Sequence, residues 1–535
     1  MSSVDRQTGE LFATAALGDI PKILTLLDRN PHSPTYGCFD RLHWHYKVTD
    51  FPSGMSQEFV WPLALACSTP APGNRFHQRP ILREWVRAGI DFAARRAHGD
   101  GSCDDYFPFE RADGAAAFSL LAAVESCSLL ELREPEFERF FTQRAGLLAH
   151  HRESGRLTNH QALIALALQR LDELTGQVRW NDAIETRLQE ILGWQSSEGW
   201  FPEYEGFDPG YHTLTIWCLA CLHDARPDPS LRSAIESAVE LASDFVHPDG
   251  SYGGEYGSRN TYNFFPAGFE LAGAWLPRAL SVNDRFLEGM AADLAPCYAD
   301  DRIVGHHAWN YLLAYRHFIA DRPARRAPAS GQHYYPEAGV VVERRGGSEL
   351  FCALNKGGVF KLFRDGELVI SDTGWSVLER GGRHGNAVSN LMSADYSITV
   401  QDGRLEVSGS LGYAKHKQMT PLSNVVLRLF MLTVGRWFPN LVRSILQRLL
   451  ITGTQKSPFS FRRSLEWADG QWVVRDILSG PWKDAHAVAL GRDQTSNYNV
   501  MSRTFHSGQM APWTDLTPEL KHLSEHALLT NERRF

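Results

Sequence analysis

Glu198-Gly199-Trp200-Phe201-Pro202, running on into Glu203-Tyr204, is a glycine turn that hands over to aromatic and acidic residues. The same pattern stands at Asp100-Gly101-Ser102 before Asp105-Tyr106-Phe107-Pro108, and at Asp249-Gly250-Ser251-Tyr252 before Glu255-Tyr256. The three glycines are 98 and 51 residues apart, two repeats and one repeat of about 50, the length of a helical hairpin with its loops. Gly54, Gly155 and Gly305 extend the series to six turns spaced by 47, 54, 44, 51 and 55 residues. Between the turns apolar residues recur with a helical period, as in Ala162 to Leu168 and Leu231 to Phe245. Six such hairpins can close into an α/α toroid, with the equivalent turns around one mouth.

The period changes after Arg322. A Pro/Ala/Arg linker over 323–332 leads into short β-type runs, Val340 to Arg344, Leu350 to Leu354, Val359 to Phe363 and Glu367 to Ser371, broken by Gly-Gly and Asp-Gly turns. Tyr396 to Val400, Leu405 to Ser410 and Trp472 to Ile477 continue them. The expected fold class is an α+β multidomain chain. An N-terminal α/α toroid covers 1–322, and a C-terminal antiparallel β-sandwich domain with a helical insertion covers 333–535.

Charge segregates in that insertion, at about 415–460. The 535 residues carry 54 Lys+Arg against 62 Asp+Glu, a formal charge of −8. That balance argues against a dedicated nucleic-acid binder, and no nucleic-acid partner is expected. Between Glu406 and Glu466 there is no acidic residue, only nine cations from Lys415 to Arg463. Leu427 to Ile451 reads as an amphipathic helix kinked at Pro439, with Arg428, Arg436 and Arg443 on one face and Val434, Phe438 and Leu441 on the other. Packing on its own sheet, docking to a partner, and peripheral contact of residues 427–451 with an anionic membrane surface all fit this pattern. Four arginines argue against a spanning helix.

The eight cysteines are scattered through apolar segments and read as reduced core residues, the Cys218/Cys221 pair included. Met1 to Ile20 carries Asp5 and Glu10 around a short apolar run, so no secretory signal is expected. The expected location is cytoplasmic, with peripheral contact at the inner membrane.

If the turns share a mouth, it collects histidine, tyrosine, asparagine and carboxylates. Aromatic faces with polar neighbours hold sugars by stacking on C–H faces and hydrogen bonding to hydroxyls. Tyr204, His212, Tyr252, Tyr256, Arg259, His306 and Trp309 are the candidate substrate-binding residues.

Several stretches resemble heparinase II/III-type polysaccharide lyases. They are Asn159-His160-Gln161-Ala162-Leu163 opening an apolar helix, Gly210-Tyr211-His212, Asp249-Gly250-Ser251-Tyr252, and Gly366-Glu367-Leu368 leading to Ser371-Asp372-Thr373-Gly374. The resemblance runs from about residue 80 to 410. It implies a toroid joined to an antiparallel β-domain, with an acidic polysaccharide or oligosaccharide in the cleft between them. It also implies β-elimination, in which the proton beside a uronate carboxylate is removed and the O4 leaving group is protonated. By that resemblance Asn159 and His160 are donors to the carboxylate and Tyr211 is the catalytic tyrosine, its hydroxyl needing cations such as Arg259 to lower it if it is to act as base. The family's His–Asn–Thr element corresponds to Arg383-His384-Gly385-Asn386-Ala387, which displaces the histidine by one residue. His384 is the fourth candidate catalytic residue, and the departure weakens the divalent-metal site that some relatives keep nearby. No cofactor is expected.

An exopolysaccharide or other glycan pathway fits a lyase of this kind. Two alternatives remain at this stage. One is a glycoside hydrolase on the same toroid, using carboxylates from among Asp104, Asp105, Asp208 and Glu255. The other is a non-catalytic glycan-binding or assembly protein docked at a membrane.

Overall fold

The computed structural model describes residues 3–535 apart from 151–154, 205, 299–301, 325–327, 380–385, 415–418, 439–440, 443–444, 446–454, 493–501, 512 and 525–526. Helices occupy the first part of the chain: α1 (Ser3–Leu26), α2 (Arg41–Trp44), α3 (Val60–Ser68), α4 (Pro80–Arg96), α5 (Asp113–Leu129), α6 (Pro135–His150) and α7 (Thr158–Thr175). They continue through α8 (Asn181–Trp194), α9 (Pro209–Ala225), α10 (Pro229–Asp244), α11 (Ala267–Gly273), α12 (Pro277–Ala291) and α13 (Gly305–Arg316). Helices α3, α5, α7, α9, α11 and α13 each touch the next, and α13 returns to α3. The alternate helices α4, α6, α8, α10 and α12 lie against the outside of this ring, joined by α1.

Sequence explains the division. Ala115 to Val124 of α5 and Val60 to Cys67 of α3 are buried on every side, as helices surrounded by other helices must be, whereas outer helices such as α12 bury one stripe. Trp61 of α3, Trp217 of α9 and Trp309 of α13 meet inside the ring. Trp61 and Trp309 stack at 4.6 Å, and Trp217 lies 4.7 Å from Trp309. Since α3 and α9 are not neighbours in the order of helix contacts, these indoles link helices across it.

Gly101, Gly199 and Gly250 are one structural device. All three have positive φ (85°, 95° and 81°), and a Cβ on each would lie 2.4–2.5 Å from the backbone of a neighbouring outer helix, at Arg144, Ser237 and Gly289. The other three glycines of the proposed series do not share it. Gly54 has φ −69°, Gly155 has open space around it, and Gly305 begins α13 against the ring of Phe59.

The second part of the chain is antiparallel sheet. A short pair joins β1 (Cys297–Tyr298) to β14 (Ser502–Arg503). One five-stranded sheet takes β2 (Gly331–Tyr335), β3 (Val340–Arg345), β4 (Ser348–Ala353), β5 (Val359–Arg364) and β6 (Glu367–Asp372) in order. The nine-stranded sheet contains β7 (Gly374–Glu379), β8 (Asn386–Val388), β9 (Ser397–Gln401), β10 (Arg404–Tyr413), β11 (Lys456–Ala468), β12 (Gln471–Ser479), β13 (Ala485–Gly491), β15 (Trp513–Asp515) and β16 (Leu529–Arg534).

Strands β3 to β5 are buried at nearly every position because both faces of their sheet are covered. Val341, Leu350, Cys352, Phe360 and Leu362 pack against the nine-stranded sheet. Their alternates Val340, Val342, Phe351, Ala353 and Phe363 pack against the helices. The order of layers is therefore helices, small sheet, large sheet.

The single helix expected over 427–451 is corrected. Helix α14 (Pro421–Thr433) starts earlier, behind a Thr420 cap, and stops at Thr433. A tighter turn follows at Gly435–Trp437, where Met431 and Phe430 fold over the glycine and leave no room for a Cβ. Pro439 lies outside the described residues.

Candidate active site

Helices α7 and α9 are neighbours in the ring, and their first turns are tied together by the segment 202–211. Thr158 donates its hydroxyl to the Pro202 carbonyl at 2.8 Å, and the Tyr204 N–H reaches the Arg156 carbonyl at 2.9 Å. Between these ties, Asn159 donates its backbone N–H to Glu203 Oε1 at 3.0 Å and its side-chain amide to Oε2 at 2.6 Å. Asp208 caps α9 and accepts the Tyr211 N–H at 3.1 Å. Its other oxygen accepts the Arg259 N–H at 2.9 Å, so one buried carboxylate sets Tyr211 and Arg259 side by side. The Arg259 guanidinium lies 4.3 Å from the centre of the Tyr204 ring.

His160 packs where Gly114 of α5 leaves space, a Cβ there falling 2.9 Å from its ring. Asn159 is buried, whereas His160, Tyr204, Tyr211 and Arg259 keep part of their surface open. These four, with Asn159 behind them, form the candidate site.

The small sheet supports it from below. Lys356, on the turn after β4, is buried and donates Nζ to the carbonyls of Glu255 at 2.7 Å and Gly257 at 2.6 Å, and to the Asn260 side chain. It thereby pins the loop that carries Arg259. Lys361 of β5 lies 3.5 Å from Glu255, which also accepts from the Tyr262 hydroxyl and, at 3.0 Å, from Ser371.

Burial dominates the titration of the site. It pushes the Glu203 carboxyl up to about 8, against the two Asn159 donors and the charge of His160. It brings the Lys356 ammonium down to about 7, although Asp208 and Glu255 pull the other way. Burial also drives the Tyr211 hydroxyl above its ordinary range. Arg259 opposes that shift and is outweighed, so the lowering that a tyrosine base would need is not supplied by Arg259.

Four expected substrate contacts are corrected, because the side chains face the interior. His212 is fully buried between Phe201 and Phe207, with Nε2 2.9 Å from the Ala238 carbonyl. Tyr252 packs edge-on against Phe264 at 5.1 Å. Tyr256 stacks on Phe351 of the small sheet, its hydroxyl 3.0 Å from His247. Trp309 belongs to the indole cluster inside the ring. His306 is almost buried as well, stacked on Phe118, with Nδ1 2.7 Å from the buried Glu58 carboxylate. His384 lies outside the described residues.

The carboxylates considered for hydrolysis are held in structural roles. Asp104 accepts the Phe109 N–H at 2.8 Å and stands 2.9 Å from His98, Asp105 accepts the Ser53 hydroxyl at 2.5 Å, and Asp208 and Glu255 are engaged as above. Among the described residues no group of three His, Cys, Asp or Glu is placed to hold a metal ion. A cavity of about 140 Å³ beside Ser53, His98 and Arg144 contains none of the candidate site residues.

Residue type alone did not point to Glu203 as Asn159's partner or to Lys356. The glycine pair Gly357-Gly358 marks the sharp turn that bears Lys356, both with positive φ, but not where its ammonium goes.

No family model matches the sequence, and no curated protein matches it. Solved structures do. Chondroitin AC lyase of Streptomyces coelicolor A3, solved with chondroitin sulphate, superposes with TM-score 0.56 at 12% identity, over 91% of this chain and 68% of that one. A Paenibacillus xanthan lyase gives TM-score 0.51 at 12% identity, over 92% of this chain and 47% of that one, so this chain spans about half its length. Heparinase III gives TM-score 0.47 at 11% identity, over 77% of this chain and 61% of that one. At such identities what is shared is the fold: the chain folds like chondroitin AC lyase and xanthan lyase.

Proposed function

We propose that this protein is a polysaccharide lyase that cleaves a uronate-containing acidic polysaccharide or oligosaccharide by β-elimination, within an exopolysaccharide or related glycan pathway. The closed order of helix contacts supports reading the N-terminal unit, 1–322, as an α/α toroid, with the β-domain over 333–535. The observation that carries the reading is the grouping of Asn159, His160 and Tyr211 at the first turns of neighbouring inner helices with Arg259 on the loop pinned by Lys356. The lyases with this fold act on chondroitin and xanthan, by their names, which agrees with an acidic glycan as substrate.

Asn159 keeps a second amide hydrogen for the uronate carboxylate, and Arg259 supplies positive charge beside it. Both stabilise the enolate-like charge that forms as the C5 proton leaves. The C5–H pair then makes the C4–C5 double bond, the C4–O bond breaks, and the departing oxygen takes a proton. Tyr211 is held protonated by burial. That state suits it to protonate the leaving oxygen, and in this reading the partly exposed imidazole of His160 accepts the C5 proton. The structural engagement of Asp104, Asp105, Asp208 and Glu255 favours this chemistry over hydrolysis by paired carboxylates.

The test is product chemistry across a panel of acidic polysaccharides. Elimination yields chain ends with an unsaturated, ultraviolet-absorbing uronate. Fragments without that chromophore would point to a hydrolase, and bound but uncleaved glycan to a binding protein.

A further inference from the structure

Helix α14 presents an outward face that is apolar. Leu422, Val425, Val426, Leu429 and Leu432 share that face and are all exposed, Leu422 at 74%. Met431, on the opposite side, is fully buried against the protein. The usual amphipathic order of a water-facing helix is thus reversed. Exposed Trp437 and Phe438 follow directly, and the Arg436 guanidinium lies 5.0 Å over the Trp437 ring. The helix is anchored to the rim of the helical unit, since Arg428 donates to both Asp50 oxygens at 2.8 and 2.7 Å. The loop ahead of Asp50 adds exposed Tyr46 and Val48 to the same edge. An apolar surface of this extent marks a contact site.

We propose that this face docks on an anionic lipid surface, with α14 lying in the plane of the headgroups. Charge selects lipid over other occupants, because the stretch 415–448 around the helix contains six cations and no acid, of which Arg428 is taken up by Asp50. An aromatic pair beside arginine fits the boundary between headgroups and acyl chains. Thirteen residues span only about 20 Å, short of the ~30 Å hydrocarbon core, and no helix among the described residues is long and apolar enough to cross a membrane. Docking would hold the rim at Asp50 close to the bilayer. It is independent of the glycan chemistry.

The test is cosedimentation of the full chain with vesicles of phosphatidylcholine alone and of phosphatidylcholine mixed with phosphatidylglycerol. The protein is expected to sediment with the mixed vesicles, to bind the neutral ones much less, and to be released by salt. The double variant Leu429→Glu, Trp437→Glu is expected to lose about tenfold or more of that binding while keeping the wild-type melting temperature. Wild-type protein that stays in the supernatant with both vesicle types would overturn the proposal. So would light scattering that shows a dimer which the same variant dissociates, since the face would then be covered by a second copy.

Discussion

Asn159 and Glu203 are joined twice, backbone N–H to Oε1 at 3.0 Å and side-chain amide to Oε2 at 2.6 Å. The pair fixes the asparagine that is proposed to meet the uronate, and it leaves a carboxyl buried with a raised pKa of about 8. A carboxyl whose folded value lies above its unfolded one binds its proton more tightly when folded. Its contribution is present below about pH 4.5 and is lost as pH rises to about 8. Glu203→Gln is therefore expected to gain stability relative to wild type by a few kcal/mol, of order ~3, between pH 5 and pH 8. Melting curves of both proteins across that range check it. A difference that does not change with pH would contradict it.

Lys356 carries the small sheet's hold on the Arg259 loop. Lys356→Met removes three hydrogen bonds and strands the acceptors they satisfied, so a loss of at least about 2 kcal/mol in unfolding free energy is expected. At temperatures where the variant remains folded, KM is expected to rise more than kcat falls, because the loop positions binding charge and not the proton-transfer groups. Steady-state kinetics with a cleaved substrate separates the two.

Between the two sheets Arg463 and Arg533 bridge Asp372 and Asp476, with all four N–O contacts at 2.6–2.7 Å. The arginines hold Asp372 below the ordinary carboxylate range. Asp372→Ala leaves Asp476 to balance both arginines and is expected to cost about 3–5 kcal/mol, measured by denaturant unfolding. The Ser371-Asp372-Thr373-Gly374 motif is thus read as a structural joint. Activity per folded molecule is expected to stay near normal.

His160 and Tyr211 are expected to differ in their pH behaviour. If His160 accepts the C5 proton, the acidic limb of kcat/KM belongs to its imidazole, and His160→Gln should lower turnover by about a hundredfold and remove that limb. An unchanged limb in the variant would assign the base elsewhere.

The fold was legible where local rules are strict. Gly101, Gly199 and Gly250 announce their turns because only glycine tolerates both the positive φ and the approach of an outer helix, and the short β-type runs broken by Gly-Gly and Asp-Gly turns announce the sheet. Gly54, Gly155 and Gly305 match in spacing but not in packing, Gly155 sharing the positive φ (101°) with open space around it, since spacing alone carries no steric requirement. Asn159, His160 and Tyr211, which open apolar helices, are sequence candidates that the fold brings together. Side-chain direction was not legible. Trp309 and His212 sit on inner helices buried all round, so nearness to a turn does not say which of their faces meets solvent. Glu203 and Lys356 act across 44 and 99 residues of sequence, and no local pattern encodes such pairings.

Mass and absorbance of the products from one acidic polysaccharide, with wild type and Tyr211→Phe side by side, bear most directly on the proposed elimination. The expected wild-type products are ultraviolet-absorbing fragments each lighter by one water than a hydrolytic product, and the variant should make them at least about a hundredfold more slowly while binding the polymer as before. Fragments that carry the added water, or near-normal turnover by Tyr211→Phe, would contradict elimination through Tyr211.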